Sequence, residues 1–112
     1  MSKHRYHAIE CKKFDWSKLV ETVSGQRVVL AIDVAKQDFV AAFSFEGQVL
    51  SRIKWKHPNE TNDLLVGIET IAESGDLEAV MEPSGTYGDA LRWQLVKRGI
   101  DVYLVSPKRV HD

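Results

Sequence analysis

The chain has 112 residues, of which 44% are hydrophobic and 28% are charged, a formal net charge of −1 and one cysteine, Cys11. These values are typical of a single globular domain, and they exclude an internal disulfide and the overall basic charge of many nucleic-acid-binding proteins. No apolar run approaches the roughly 20 residues that a membrane-spanning helix needs, so we expect a protein of the reducing cytoplasm without membrane contact.

The N-terminal residues precede the first predicted strand of the main domain. Residues 1–13 are polar and basic without an apolar centre, which predicts a flexible arm and no signal peptide. Asp15 is then placed to cap a short helix over residues 16–23. We therefore expect an N-terminal extension with a short helix over residues 1–26, followed by the main domain over residues 27–112.

The next three segments predict an antiparallel meander. Residues 27–32 form a continuous run that is apolar after Arg27 and rich in β-branched side chains, the pattern of a central strand that is buried on both faces. Apolar residues recur at every second position over 39–45, and the run 49–56 alternates in the same way with Ser51 as the exception. This predicts two further strands joined by a turn at Glu46-Gly47. The polar members of the last strand favour a half-exposed position at the outside of the sheet.

Helices and strands alternate in the rest of the chain. The helices are expected from residues 58–59 to Gly75 and from Ser84 or Thr86 to Gly99, and the strands over 77–81 and 101–105. The resulting order is β-β-β-α-β-α-β, a meander followed by right-handed parallel crossovers. This order predicts an α/β fold with a mixed sheet of the ribonuclease-H-like (RuvC-like) kind.

Two carboxylates end matching strands of this pattern. Asp33 follows the apolar run 27–32, and Glu82 follows the run 77–81. In the expected topology these strands are parallel neighbours, so both acids meet at the edge where open α/β sheets bind ligands. Acids at the tips of buried strands are costly unless a cation meets them, and Mg²⁺ prefers carboxylate oxygens. The pair is therefore a candidate site for Mg²⁺ or Mn²⁺, of the kind that nucleases use on phosphodiesters.

Each candidate also has a purely structural explanation. Asp33 can be a turn residue, and Glu82 can favour the N-terminus of the following helix. Lys36 and Asp38 follow in the turn after Asp33 and can contact phosphate or metal, but solvated turn charges explain them as well. The backbone of the turn at residues 84–86 can bind phosphate or simply cap a helix.

The two strand ends belong to longer motifs that resemble a known family. VVLAIDVAKQDFVAAF and AVMEPSGTYGDALRWQLVKRGIDVYLVSPKRVHD are similar to the N-terminal, RuvC-like domain of the DEDD transposases of bacterial insertion sequences, which are bridge-RNA-guided recombinases. A strand ending in I-D-V-A-K carries the resemblance, together with M-E-P-[ST]-G-x-Y-G opening a helix and G-x-x-V-x-x-V-x-P after it. The resemblance covers residues 27–112.

The resemblance implies roles for several residues. Asp33 and Glu82 match the first two of the family's four acids, which implies that they are catalytic residues and ligands of Mg²⁺ or Mn²⁺. The other two acids and a serine nucleophile belong to later segments of the family, so we expect a C-terminally truncated fragment with little or no activity of its own. Lys36, Lys108 and Arg109 are the expected contacts to nucleic acid.

The resemblance also implies partners, and two alternative functions remain open. The implied partners of the full-length protein are DNA, a structured guide RNA and further copies of the transposase, which exchanges DNA strands during transposition in the bacterial cytoplasm at the nucleoid. One alternative is a non-catalytic module that binds nucleic acid or the transposase. Another is a fragment of a sugar- or acetate-kinase-like ATPase, which residues 33–36 disfavour because they lack the glycine of that phosphate loop.

Overall fold

The computed structural model describes residues 7–82 and 86–105, which form an α/β domain with a mixed sheet. The strands of the described residues are β1 (Ala8–Glu10), β2 (Arg27–Asp33), β3 (Asp38–Phe45), β4 (Gln48–Lys56), β5 (Asp76–Met81) and β6 (Asp101–Leu104). The helices are α1 (Trp16–Val23), α2 (Thr61–Ser74) and α3 (Asp89–Lys97), and a 3₁₀ turn covers Cys11–Lys13.

Hydrogen bonds join the strands in the order β1-β4-β3-β2-β5-β6. β2, β3 and β4 are antiparallel neighbours, which confirms the predicted meander. β5 pairs parallel with β2, and β6 pairs parallel with β5, so the later strands extend the sheet on the side of β2. The turn between β3 and β4 lies at Glu46 and Gly47 as predicted, and both residues have the positive φ, 52° and 80°, that a tight hairpin favours.

The segment before α1 belongs to the sheet and to the core. β1 pairs parallel with β4, where Ile9 is the partner of Ile53, and the following turn buries Cys11. Burial raises the pKa of the Cys11 thiol to about 12, so the thiol is protonated at neutral pH. The prediction of a flexible arm is wrong for residues 8–13, and β4 is not the outer strand. A strand of three residues is too short to show an alternating pattern.

One face of the sheet carries the core. Alternate residues of β2, β3 and β5 are buried on this face, and all three helices contribute side chains to the same cluster. Trp16 of α1 meets Phe43 of β3 edge to face, with ring centroids 5.7 Å apart. The largest fully buried side chains are Val23, Val28, Leu30, Phe39, Phe43, Ile53, Leu64, Ile68, Ile71, Leu91 and Leu95.

The opposite face of the sheet is open to solvent over much of its area. Val29 of β2 is only half-buried and Ala31 is exposed, so the prediction that this strand is buried on both faces is wrong. The reason is that the described helices all pack on the core side. We call this surface the open face; it is formed by Ala8, Glu10, Arg27, Val29, Ala31, Asp33, Asp38, Val40, Ala42, Ser44, Arg52, Lys54, Lys56, Asp76, Glu78, Val80, Glu82, Asp101 and Tyr103.

The first two helices end as predicted, but one of them begins later. Asp15 caps α1, because its Oδ1 accepts a hydrogen bond of 3.0 Å from the Lys18 N–H. α2 begins at Thr61 rather than at residues 58–59, which lie in the turn between β4 and the helix. Gly75 is the C-cap of α2, as the sequence indicates.

The third helix begins after a separate turn. The N–H of Asp89 donates to the carbonyl of Thr86 at 3.3 Å, so Thr86 precedes α3 without capping it, and Gly88 is the N-cap. The other predicted cap, Ser84, lies outside the described residues. Gly99 follows the helix with a φ of 82° and ends it as predicted. Within residues 7–82 and 86–105, no helix is long and apolar enough to span a bilayer.

Substitution of Gly67 is expected to disturb the packing of α1 on α2. The Trp16 ring lies against Gly67, and a Cβ at that position overlaps the ring. Gly67→Ala must therefore displace Trp16, which costs more than the roughly 1 kcal/mol that alanine gains in a helix. We expect urea unfolding to show a net loss of about 1–2 kcal/mol. Val66→Ala, at the exposed neighbouring position, is the control; equal stabilities of the two variants contradict this packing.

His57 is expected to make stability depend on pH. Its ring stacks on Phe39 with centroids 4.6 Å apart, and its Nδ1 lies 2.7 Å from the Thr61 hydroxyl. Burial lowers the pKa of His57 from 6.5, so the folded state binds fewer protons than the unfolded state. This contribution to stability is complete above the unfolded pKa and is lost as pH falls through the folded pKa. The free energy of unfolding should decline less on acidification in His57→Asn than in the wild type; parallel declines contradict the assignment.

Candidate functional site

The two carboxylates predicted from the sequence lie at neighbouring strand ends. Asp33 is the last residue of β2, and Glu82 follows β5 directly. These strands are parallel, with Ile32 as the partner of Met81, so Asp33 and Glu82 are the next pair in register. Because neighbouring strands are about 4.8 Å apart and side chains alternate between faces, both acids belong to the open face at its carboxyl end.

The two carboxylates line one shallow cavity of about 300 Å³. The N–H of Val105 donates to the carbonyl of Met81 at 2.9 Å, which carries the pairing of the last two strands to the level of Glu82. The described lining residues are Ala31, Ile32, Asp33, Val80, Met81, Glu82 and Val105. Since Asp33 and Glu82 are the charged members of this set, the cavity combines an acidic rim with apolar walls.

The exposure of Asp33 and Glu82 lowers the energetic cost of their negative charges. The sequence-based prediction assumed acids at buried strand tips, but both Asp33 and Glu82 are exposed. Their desolvation cost is therefore small, and burial does not itself require a cation. The repulsion between two like charges on adjacent strands remains, and a divalent cation or a cationic side chain relieves it.

The other candidates near the site have different environments. Lys36 is exposed in the connection between β2 and β3, three residues beyond Asp33 and at the same end of the sheet. Asp38 instead binds Lys56, whose Nζ lies 2.6 Å from its Oδ1, and this hydrogen bond raises the pKa of Lys56. Asp38 is thus a member of an exposed ion pair, which is worth little to stability.

Among the described residues, the candidate metal ligands are the carboxylates of Asp33 and Glu82. Lys108, Arg109 and the turn at 84–85 lie outside the described residues. Over residues 7–82 and 86–105, no group of three or more His, Cys, Asp or Glu side chains is arranged to hold a metal ion. A pair of hard oxygen ligands nevertheless fits Mg²⁺, which binds through one or two carboxylates and completes its shell with waters and substrate phosphates. Mn²⁺ accepts the same oxygen ligands.

Sequence reasoning missed the apolar walls of the cavity and the charge pattern beside it. Val80 and Val105 line the cavity next to the acids. Glu78, Val80 and Glu82 occupy every second position, so they share the open face. Arg27 binds Glu78 at 2.8 Å, at the end of the strands away from the cavity. The alternation of residues 78, 80 and 82 is visible in the sequence. It did not identify an exposed face, because β5 was expected to be buried on both faces.

Comparisons with protein-family models, with curated proteins and with solved structures found no match to this chain. The interpretation of the cavity therefore rests on its own geometry and on the motifs of the sequence.

Mn²⁺ is expected to bind weakly at the carboxylate pair. Two protein ligands leave most of the coordination shell to water, so we expect a dissociation constant on the order of 0.1–1 mM. Asp33→Asn should weaken this binding at least about fivefold, measured by electron paramagnetic resonance of free Mn²⁺. Asp76→Asn, at the opposite end of β5, is the matched control and should bind as the wild type does. Equal losses in both variants indicate a general charge effect and contradict a site at Asp33.

Proposed function

We propose that the chain is the N-terminal, RuvC-like part of a DEDD insertion-sequence transposase, whose intact form cleaves and exchanges DNA strands with the help of Mg²⁺ or Mn²⁺. The observation that carries the proposal is the position of Asp33 and Glu82, which end adjacent parallel strands and line one cavity. The carboxyl ends of strands in an open sheet are the usual place for a ligand. Paired carboxylates there are suited to metal-assisted phosphodiester chemistry.

The sheet supports a ribonuclease-H-like fold for the proposal. Without β1, the strand order is β4-β3-β2-β5-β6, an antiparallel meander extended by two parallel strands. β2, the first strand of the meander, lies beside β5, the first strand after it, which is the arrangement that the predicted order of elements implies for a ribonuclease-H-like fold. β1 precedes residues 27–112, the part of the chain that the resemblance covers.

The residues of this chain contribute binding and orientation. Asp33 and Glu82 would hold the divalent cation through carboxylate oxygens, and their exposure would let a phosphate group reach it. When bound there, a divalent cation would supply neutralisation of the charge that develops on the phosphodiester. The resemblance implies two further acids and a serine nucleophile from later segments of the family. We therefore expect little or no turnover by the 112 residues alone.

DNA and a structured guide RNA are the proposed partners of the intact protein, together with further copies of it, in the bacterial cytoplasm at the nucleoid. Lys36 is exposed at the same end of the sheet as the cavity and is a proposed contact to phosphate, as are Lys108 and Arg109. Because Asp33 and Glu82 repel phosphate, a nucleic acid approaches the cavity more readily once a cation is bound there.

Binding of a four-way DNA junction tests the proposal. We expect at least about fivefold tighter binding with Mg²⁺ than with EDTA at equal ionic strength, because the cation replaces repulsion at the cavity with attraction. A variant combining Asp33→Asn with Glu82→Gln should lose this difference. Fluorescence anisotropy of labelled DNA measures both affinities, and the same samples report any cleavage.

The matched control removes two carboxylates from the first half of β5, at the end of the strand away from the cavity. Asp76→Asn combined with Glu78→Gln has the same change of charge and should retain the Mg²⁺ dependence. A site variant that keeps the full Mg²⁺ dependence contradicts the proposal, and so does robust cleavage by the unaltered chain. Tight binding of structured RNA that is unaffected by the site variant favours the non-catalytic module instead.

A further inference from the structure

Lys54 lies in the same row of the open face as the carboxylate pair, where a row is a set of residues that pair across neighbouring strands. Strand pairing places Lys54 between Glu10 of β1 and Val40 of β3. Val40 in turn pairs with Asp33, and Glu82 follows on β5. Residues that pair in register share a face, so all five side chains belong to the open face. Lys54 is therefore the basic residue of the row that ends at the candidate site.

A single strand separates Lys54 from Asp33. Because neighbouring strands are about 4.8 Å apart, the Cα atoms of these two residues lie about 10 Å apart across β3. Val40 stands between them and is half-buried, so its short side chain leaves the space above β3 open. The flexible four-carbon stem of a lysine carries its ammonium group over more than half of this distance. The Lys54 ammonium group can therefore reach the space above Val40, beside Asp33.

The surroundings of Lys54 leave its ammonium group available. A second cavity of about 500 Å³ lies on this side of the open face, and three lysines line it. Lys12 lies between two acids, with its Nζ 3.9 Å from Glu10 and 3.8 Å from Glu60, and Lys56 binds Asp38. Lys54 is exposed, and no ion pair within residues 7–82 and 86–105 includes it. Its neighbour Glu10 thus shares Lys12 with a second acid.

The charges at the carboxylate pair require one further cationic group when phosphate is present. Asp33 and Glu82 carry two negative charges, which a divalent cation would balance. A phosphodiester at the pair then brings one more negative charge. Lys36 lies beyond the end of the sheet, whereas Lys54 lies on the open face in the row of the pair. Lys54 is thus placed to balance the phosphate from the side of β4.

We propose that Lys54 donates a hydrogen bond to a nonbridging oxygen of the DNA phosphate that approaches Asp33 and Glu82. Lysine is a usual partner of phosphate, which it binds as a point charge. The contact rests on the proposed function, because it requires a phosphodiester at the carboxylate pair. It adds to that function a side chain on β4, which holds the phosphate from the side opposite Glu82.

The contact also sets the direction in which the DNA crosses the sheet. A phosphate between Lys54 and the carboxylate pair lies above Val40 of β3, next to the cavity that Lys54 lines. The other direction leads over β5 and β6, where Glu78 pairs with Asp101 and their negative charges repel phosphate. The DNA strand is therefore expected to continue over β3 and β4.

Binding of a four-way DNA junction by Lys54→Gln tests this contact. In Mg²⁺ we expect binding at least about fivefold weaker than that of the wild type, because a hydrogen bond between charged groups is lost. A plot of log K against log salt concentration should become shallower by about 0.9, the change expected for one phosphate contact. Lys54→Arg keeps the charge and the donors, so it should restore most of the affinity.

A junction with a single methylphosphonate tests whether the contact is direct. This group carries no negative charge, so it removes the partner of Lys54 without changing a base. In a double-mutant cycle, the effect of Lys54→Gln should disappear when the methylphosphonate occupies one position near the exchange point and should persist at the others. An effect that persists at every position across the centre of the junction overturns the contact.

Two controls separate the contact from general effects of charge and folding. Lys18→Gln makes the same charge change on α1, which packs on the core side of the sheet, and should bind the junction as the wild type does. Without DNA, Lys54→Gln should bind Mn²⁺ within about twofold of the wild type, because the carboxylates remain. Equal losses of junction binding in Lys18→Gln and Lys54→Gln overturn the contact, and so does a Lys54→Gln chain that no longer binds Mn²⁺.

The failure of this contact and the failure of the proposed function give different results. A wild-type chain whose junction binding is independent of Mg²⁺ contradicts the proposed function and, with it, the contact. A wild-type chain with the full Mg²⁺ dependence whose Lys54→Gln variant binds equally tightly retains the proposed function and overturns the contact alone.

Discussion

The parallel pairing of β2 with β5 is the constraint on which the rest of the structure depends. Its register aligns Ile32 with Met81 and thereby brings Asp33 and Glu82 together at the end of the sheet. The same register brings the buried residues of the two strands to one face, where they meet α1 and α2. A shift by one residue would exchange the faces of β5, bury Glu78 and turn Met81 to solvent. Core packing and site geometry are therefore fixed by one set of backbone hydrogen bonds.

The unequal coverage of the two faces of the sheet determines the environment of the candidate site. All described helices cover one face, so the carboxylates are exposed on the other and are not stabilised or strained by burial. Exposure makes Asp33 and Glu82 accessible to a cation and to phosphate, but it also leaves their mutual repulsion to be relieved from outside. In the proposed reaction, a divalent cation held by the two carboxylates would relieve it.

The sequence predicted the topology better than the environment of each strand. Period, turns and helix ends were sufficient for the meander, the two crossovers and the position of Asp33 beside Glu82, because these depend on local patterns. Burial of β2 was overestimated, since an apolar run does not reveal how many helices cover a sheet. β1 was missed because its pairing with β4 and the burial of Cys11 are long-range contacts of a very short segment. The Asp38–Lys56 ion pair also depends on strand register, which the sequence alone did not specify.

The most direct test of the central claim is the position of Mn²⁺ in crystals of the chain soaked with MnCl₂, located by its anomalous scattering. We expect a peak between Asp33 and Glu82, within about 2.2 Å of one carboxylate oxygen of each, with waters completing an octahedral shell. Asp33→Asn crystals should lose this peak. Carboxylates more than about 10 Å apart, or a peak at other acids and none at this pair, contradict a metal site at the ends of β2 and β5.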